Sequence, residues 1–151
     1  MRYVVSACLM GERCKWSGGD NLVSELADYL WQQDEAPLLV CPETTGGLPC
    51  PRQPAERTGE RVLCKDETDG TAEYREGAEL SLASMEAAAC TPENTLCILQ
   101  PRSPSCGRGK IYDGTFSGKL VDGNGVFVDL LRARGYQVMT PDEALEMWGL
   151  A

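Results

Sequence analysis

The sequence predicts an α/β fold. It reads as one domain over residues 1–151, with an open, mostly parallel sheet flanked by helices in a Rossmann-like three-layer αβα arrangement. Three observations lead there. Short apolar runs at 3–7, 38–40, 95–99 and 136–139 alternate with segments of helical period, the order expected of parallel strands joined by crossover helices. With 151 residues the chain is long enough to bury a core. Three of the runs lead at their carboxyl ends to a cysteine, Cys8, Cys41 and Cys106. Open parallel sheets bind ligands beyond those strand ends.

The elements follow in order. Tyr3-Val4-Val5-Ser6-Ala7 is a buried strand that runs into a loop from Cys8 to Asp20, broken by Gly11, Gly18 and Gly19. Asn21 to Gln33 has helical period, with Leu22, Leu26, Tyr29 and Leu30 on one face and Asp20 or Asn21 as cap. Leu38-Leu39-Val40 is a short strand. Residues 41–59 are rich in turn formers and read as a long loop, of the kind that carries function in compact domains. A short strand at 61–64 precedes a helix from Ala72 to Ala89, with Tyr74, Ala78, Leu82 and Met85 on one side. Residues 95–99 form the third strand. Ile111 to Val121 forms a hairpin or an irregular loop. Gly125 to Arg134 is a helix closed by Gly135, and 136–139 is a strand. A last helix runs from Pro141 to Trp148, where Thr140 and Glu143 have capping-box spacing.

Composition narrows the chemistry. The chain has no histidine, which removes a Ser-His-Asp triad, a Cys-His pair and His-ligated zinc. Eight cysteines with no Cys-x-x-Cys pair point away from zinc ribbons and thioredoxin-type redox motifs. No run approaches the roughly 20 apolar residues of a membrane span, and the apolar start is too short for a signal peptide. A cytoplasmic protein with metal or redox chemistry is expected. The net charge of −9 disfavours DNA and other long polyanions. Arg13, Lys15, Arg52, Arg102, Arg108 and Lys110 nevertheless flank the candidate motifs, and a basic rim of that kind suits a small anionic or polar substrate.

Three convergent thiols without histidine favour a soft metal centre: zinc, copper(I) or an iron–sulfur cluster. Three ligands rather than four leave one metal position open to substrate. Glu43 lies two residues beyond Cys41, and Ser103 and Ser105 just before Cys106, so a carboxylate and a hydroxyl arrive beside that position. Cys50, Cys64, Cys90 and Cys97 read as ordinary small residues, and Cys14 as more structural than functional.

The motifs together carry a resemblance. They are Val5-Ser6-Ala7-Cys8-Leu9-Met10-Gly11, Cys14-Lys15-Trp16-Ser17-Gly18-Gly19, Val40-Cys41-Pro42-Glu43, Gly46-Gly47-Leu48-Pro49 with Pro51-Arg52, Arg102-Ser103-Pro104-Ser105-Cys106-Gly107, and Ile111-Tyr112-Asp113-Gly114-Thr115-Phe116-Ser117-Gly118. In this order, over nearly the whole chain, the sequence resembles the TudS-like thiouracil desulfidases, catalogued as domain-of-unknown-function family 523. The resemblance implies a 4Fe-4S cluster held by Cys8, Cys41 and Cys106, with one open iron that takes the sulfur of a thiolated uracil. It implies Glu43 as the acid–base residue and a serine of the Ser-Pro-Ser-Cys segment as its companion, Ser103 being preferred. The implied reaction is hydrolytic: Glu43 takes a proton from water, hydrosulfide is released, and no net electron transfer occurs. Trp16, Ser105 and Arg52 are candidates for touching substrate, Trp16 by stacking.

The expected substrate is a free thiolated nucleobase or nucleotide. A tRNA is disfavoured, a membrane or obligate protein partner is not implied, and Arg13, Lys15, Arg52 or Arg108 is available to a phosphate. The sequence departs from the family at Trp16-Ser17, where an aromatic followed by Asp is common, and this leaves room for a different substrate preference. Two other readings compete. One is a structural or sensory protein whose cysteines bind zinc or a cluster without chemistry. The other is a metal-free enzyme with Cys106 or Cys41 as nucleophile.

Overall fold

A computed structural model describes all of residues 1–151. Strand β1 (Arg2–Ser6) passes into a 3-10 turn at Ala7–Met10, followed by helix α1 (Ser24–Trp31), strand β2 (Leu38–Val40) and a short helix α2 (Pro42–Thr45). Strands β3 (Ala55–Thr58) and β4 (Arg61–Cys64) lead to the long helix α3 (Thr71–Ala87) and strand β5 (Thr95–Ile98). Strands β6 (Lys110–Tyr112) and β7 (Leu120–Asp122), helix α4 (Val126–Ala133), strand β8 (Gln137–Met139) and helix α5 (Pro141–Met147) complete the chain.

The central sheet has the order β2-β1-β5-β8, and all its pairings are parallel. Neighbouring residues of one strand face opposite layers. Val4 and Cys97 pack with α3 and α4 through Ala78, Leu82, Met85, Phe127 and Leu131. Val5, Leu96 and Ile98 pack with α1 and α5 through Leu26, Leu30, Ala144 and Leu145. The mixed α/β expectation and its parallel sheet are met. Each of the fully buried leucines and isoleucines contributes about 1.5–3 kcal/mol of transfer free energy, so the two apolar layers hold the sheet. Cys90 and Cys97 belong to the core beneath α3 and α4, as expected. Trp148 stacks on Tyr29, with ring centroids 3.8 Å apart, and so ties α5 to α1.

Helix α5 starts as its sequence predicts. The Thr140 hydroxyl accepts from the Glu143 N–H at 3.2 Å, and Glu143 accepts from the Thr140 N–H at 3.0 Å. Helix α1 begins later than expected and without Asp20 or Asn21 as cap. The Asn21 and Val23 N–H groups instead donate to the carbonyls of Cys8 and Leu9, at 2.9 and 3.0 Å. Those bonds hold 21–23 against the 3-10 turn, outside the helix, and Leu22 is left half exposed.

The segment read as a loop over 41–59 contains both α2 and β3. β3 pairs antiparallel with β4 across a two-residue turn at Gly59-Glu60. Ala-Glu-Arg-Thr lacks the apolar alternation of a half-buried strand, so its sequence does not announce it. β6 and β7 pair antiparallel, so of the hairpin and the irregular loop left open by the sequence the hairpin forms.

Candidate active site

The three neighbouring strands β2, β1 and β5 end at one edge of the sheet. Ser6 is level with Val40, and Val5 with Ile98. Cys8 follows β1 inside the 3-10 turn, and Cys41 is the residue on which α2 starts. Cys106 is returned to the same edge by the loop after β5. In that loop the Ser103 hydroxyl accepts from the Cys106 N–H at 2.7 Å, and the Ser103 carbonyl accepts from the Gly107 N–H at 3.0 Å. Helix α4 has no side-chain cap, and its first N–H groups donate into this loop. Val126 N–H reaches the Pro104 carbonyl at 2.8 Å and Phe127 N–H the Ser105 carbonyl at 3.0 Å. The unsatisfied donors of a helix start thereby fix the segment that carries Cys106.

Cys8, Cys41 and Cys106 line one cavity of about 360 Å³, together with Glu43, Ser103 and Ser105. Glu43 projects from α2 and has its carboxylate almost fully enclosed. The Ser105 hydroxyl donates to its Oε2 at 2.6 Å. Its Oε1 accepts from Arg52 Nε at 3.0 Å, Arg52 Nη2 at 2.8 Å and the Tyr74 hydroxyl at 3.1 Å. Ser103 reaches this group only through Ser105, at 3.3 Å between hydroxyls. The expectation preferred Ser103 beside Glu43, and the direct contact belongs to Ser105.

The thiols differ electrostatically. Burial pushes Cys8 and Cys106 above the ordinary thiol range. Cys41 is drawn below the ordinary thiol range, first by its pairing with the Cys14 thiol, against the upward push of burial, and then by Thr44 in α2. Cys14 is raised in return, by that pairing and by burial. Cys14 lines the cavity and its carbonyl lies 3.8 Å from Cys41 Sγ. The sequence favours a structural Cys14 over a functional one, and the structure sets it beside Cys41 at the cavity.

The basic rim is smaller than the sequence implied. Arg52, with a side chain 5% exposed, is committed to Glu43 and to the carbonyls of Cys14 and Pro49. It is part of the wall, not a free cation for a substrate phosphate. Arg108 donates to the Val138 carbonyl and pairs with Glu143, and Lys110 pairs with Asp122. Lys15 and Arg102 remain at the cavity. Arg102 is exposed and holds a left-handed backbone, φ 70°, which is uncommon outside glycine and clusters at functional sites. Trp16 also lines the cavity and is 49% exposed, as a stacking surface requires.

Sequence reasoning missed Tyr74 and Glu56. In the sequence Tyr74 is one more residue of an apolar helix face; the available signal is that a buried tyrosine hydroxyl needs a partner. Glu56, on β3, accepts from the N–H groups of Gly114 and Phe116 at 2.9 and 3.0 Å. It fixes the 113–118 loop beside the cavity.

All eight cysteines are free thiols. No three Cys, Asp or Glu side chains converge closely enough to hold a single metal ion. Cysteine thiolates are the ligands that hold iron–sulfur clusters, and three of them, Cys8, Cys41 and Cys106, line this one cavity.

Comparison with known proteins gives the same direction. The sequence profile described as 2-thiouracil desulfurase matches residues 3–143. An uncharacterized protein, YbbK of Bacillus subtilis (strain 168), is 39% identical over 150 residues, covering 93% of this chain and 95% of the relative. A solved structure described as the 4Fe-4S-dependent thiouracil desulfidase TudS superposes with a TM-score of 0.86 at 42% identity, covering 96% of this chain and 93% of that one.

Proposed function

The chain belongs to the 2-thiouracil desulfurase family, and from that premise we propose that it is a 4Fe-4S-dependent enzyme that converts a thiolated uracil to its oxo form with release of hydrosulfide. The observation that carries the assignment to particular residues is the shared cavity. Three strand-end thiols and the Glu43–Ser105 pair face one space. We assign Cys8, Cys41 and Cys106 as the cluster ligands. A cluster bound by three thiolates supplies a Lewis acid and a sulfur acceptor at its open iron.

The chain's own residues do the rest. Glu43 takes a proton from the attacking water at Oε2, a role typically worth about 10² to 10⁴ in rate. The Ser105 hydroxyl donates to that oxygen and holds it toward the cavity, and Ser103 holds Ser105 and the Cys106 N–H. Trp16 provides an apolar face for the pyrimidine. The substrate is a free thiobase or thionucleotide, for which Lys15 and Arg102 are the cations at hand; a polyanion meets a net charge of −9. No helix is long and apolar enough to cross a membrane. Residues 1–151 act as one catalytic unit, and we place the reaction in the cytoplasm, where thiols stay reduced.

Anaerobic reconstitution with iron and sulfide, followed by hydrosulfide assay, tests the reading on 2-thiouracil, 4-thiouracil, and the corresponding nucleosides and nucleotides. Release from at least one of them is expected. A brown, iron-loaded protein that releases none would leave a metal protein without this chemistry.

A further inference from the structure

Glu43 is held asymmetrically. Its Oε1 accepts three hydrogen bonds, two from Arg52 and one from Tyr74, whereas its Oε2 accepts one, from Ser105. A carboxylate oxygen offers about two lone-pair directions. Oε1 is therefore saturated, and Oε2 retains one site for a proton.

The Tyr74 side of this arrangement is built with care. The ring is 2% exposed in the α3 layer, and Glu43 is the partner of its hydroxyl. Burial and the Glu43 charge push the phenol upward, so it stays a donor. Helices α2 and α3 touch backbone to backbone beside this bond. A Cβ on Gly77 would overlap the Pro42 carbonyl, and one on Gly46 would overlap the Glu73 carbonyl. Gly77 lies three residues beyond Tyr74 on the same helix face, and Pro42 directly precedes Glu43. Glycine at 46 and 77 thus sets the separation that lets the phenol reach the carboxylate.

We propose that Tyr74 is a positioning residue of the reaction: its hydroxyl, with Arg52, pins Glu43 Oε1, so that Oε2, bonded to Ser105 alone, is the carboxylate oxygen left available to the reaction, with the Gly46–Gly77 contact setting the distance. This rests on the reading of Glu43 as general base. A core role alone would be met by phenylalanine.

The test uses reconstituted holoenzyme, with 4-thiouracil or whichever thiobase the wild type turns over best, and rates normalised to bound iron. Tyr74→Phe is expected to lower kcat by about tenfold, the scale of a hydrogen bond to a charged group. KM and iron content should stay within about twofold of wild type, the split expected when orientation rather than binding is lost. In a Glu43→Gln background, single-turnover release should show no further loss from Tyr74→Phe, because the hydroxyl acts through the carboxylate. Gly77→Ala should reproduce the kcat loss. An active wild type with unchanged Tyr74→Phe turnover, or an equal loss in the Glu43→Gln background, overturns the positioning role alone. A wild type that loads iron and releases no hydrosulfide overturns the reaction as well as the role.

Discussion

The cavity has two walls of different construction. On one, formed by α2, α3 and the loop after β5, Glu43 is enclosed by Arg52, Tyr74 and Ser105, and the hydrogen bonds lie between 2.6 and 3.1 Å. On the other, the loop after β1 presents Trp16 half exposed and Lys15 with one long hydrogen bond, 3.4 Å to Asn21, and the exposed Arg102, at the start of the loop after β5, lines the cavity as freely. A wall fixed by short bonds in a shielded place is suited to transition-state work, since its dipoles need no reorganisation. A wall with free side chains is suited to selecting what enters. The contrast implies that substitutions on the first wall act on turnover and those on the second on affinity.

The largest expected effect sits beneath both walls. Cys8→Ala, Cys41→Ala or Cys106→Ala should each abolish desulfidation and lower bound iron, read by iron analysis after anaerobic reconstitution. Cys14→Ala should keep its iron, which separates the neighbour from the ligands; loss of iron there would add a fourth thiol to the site. Next, Glu43→Gln should cost about 10² to 10⁴ in kcat with iron retained. Intact turnover would break the comparison, because the ordered wall would then have no catalytic content. Ser105→Ala follows at about ten- to thirtyfold, from loss of a hydrogen bond to a charged oxygen. Ser103→Ala should do less, and the reverse order would return the companion role to Ser103. Smallest, Trp16→Ala should raise KM about tenfold with little change in kcat, from lost base stacking. Arg102→Ala should raise KM a few-fold for a thionucleotide and leave a free thiobase unaffected, the scale of an exposed ion pair.

What the sequence disclosed and what it withheld divide along physical lines. Buried parallel strands are near-continuous apolar runs, so Val4-Val5, Leu38-Leu39-Val40 and Leu96-Cys97-Ile98 announced themselves, and with them the common edge of Cys8 and Cys41. The capping box of α5 was legible because it is local. Contacts between distant residues were not. Tyr74 lies 31 positions from Glu43 and reads as one more apolar helix residue. Arg52 looked like a free cation because its partners arrive through folding alone. The choice between Ser103 and Ser105 depends on loop torsions, including the left-handed Arg102, that no spacing rule encodes. Strand β3 exists through its pairing with β4 and its contact with the 113–118 loop, not through its own pattern.

The bonds from the start of α4 into the Pro104–Ser105 segment tie a helix's nucleation to the fate of a loop. The first turn of any helix is its costliest part to form, and here its donors are satisfied by the carbonyls of the segment bearing Cys106. Whatever tethers that cysteine therefore also lowers the cost of starting α4, whose Phe127 and Leu131 lie in the core. Under the proposed assignment of Cys106 as a ligand, occupancy of the site and cohesion of the α3–α4 layer are linked quantities, each raising the other by the same free energy.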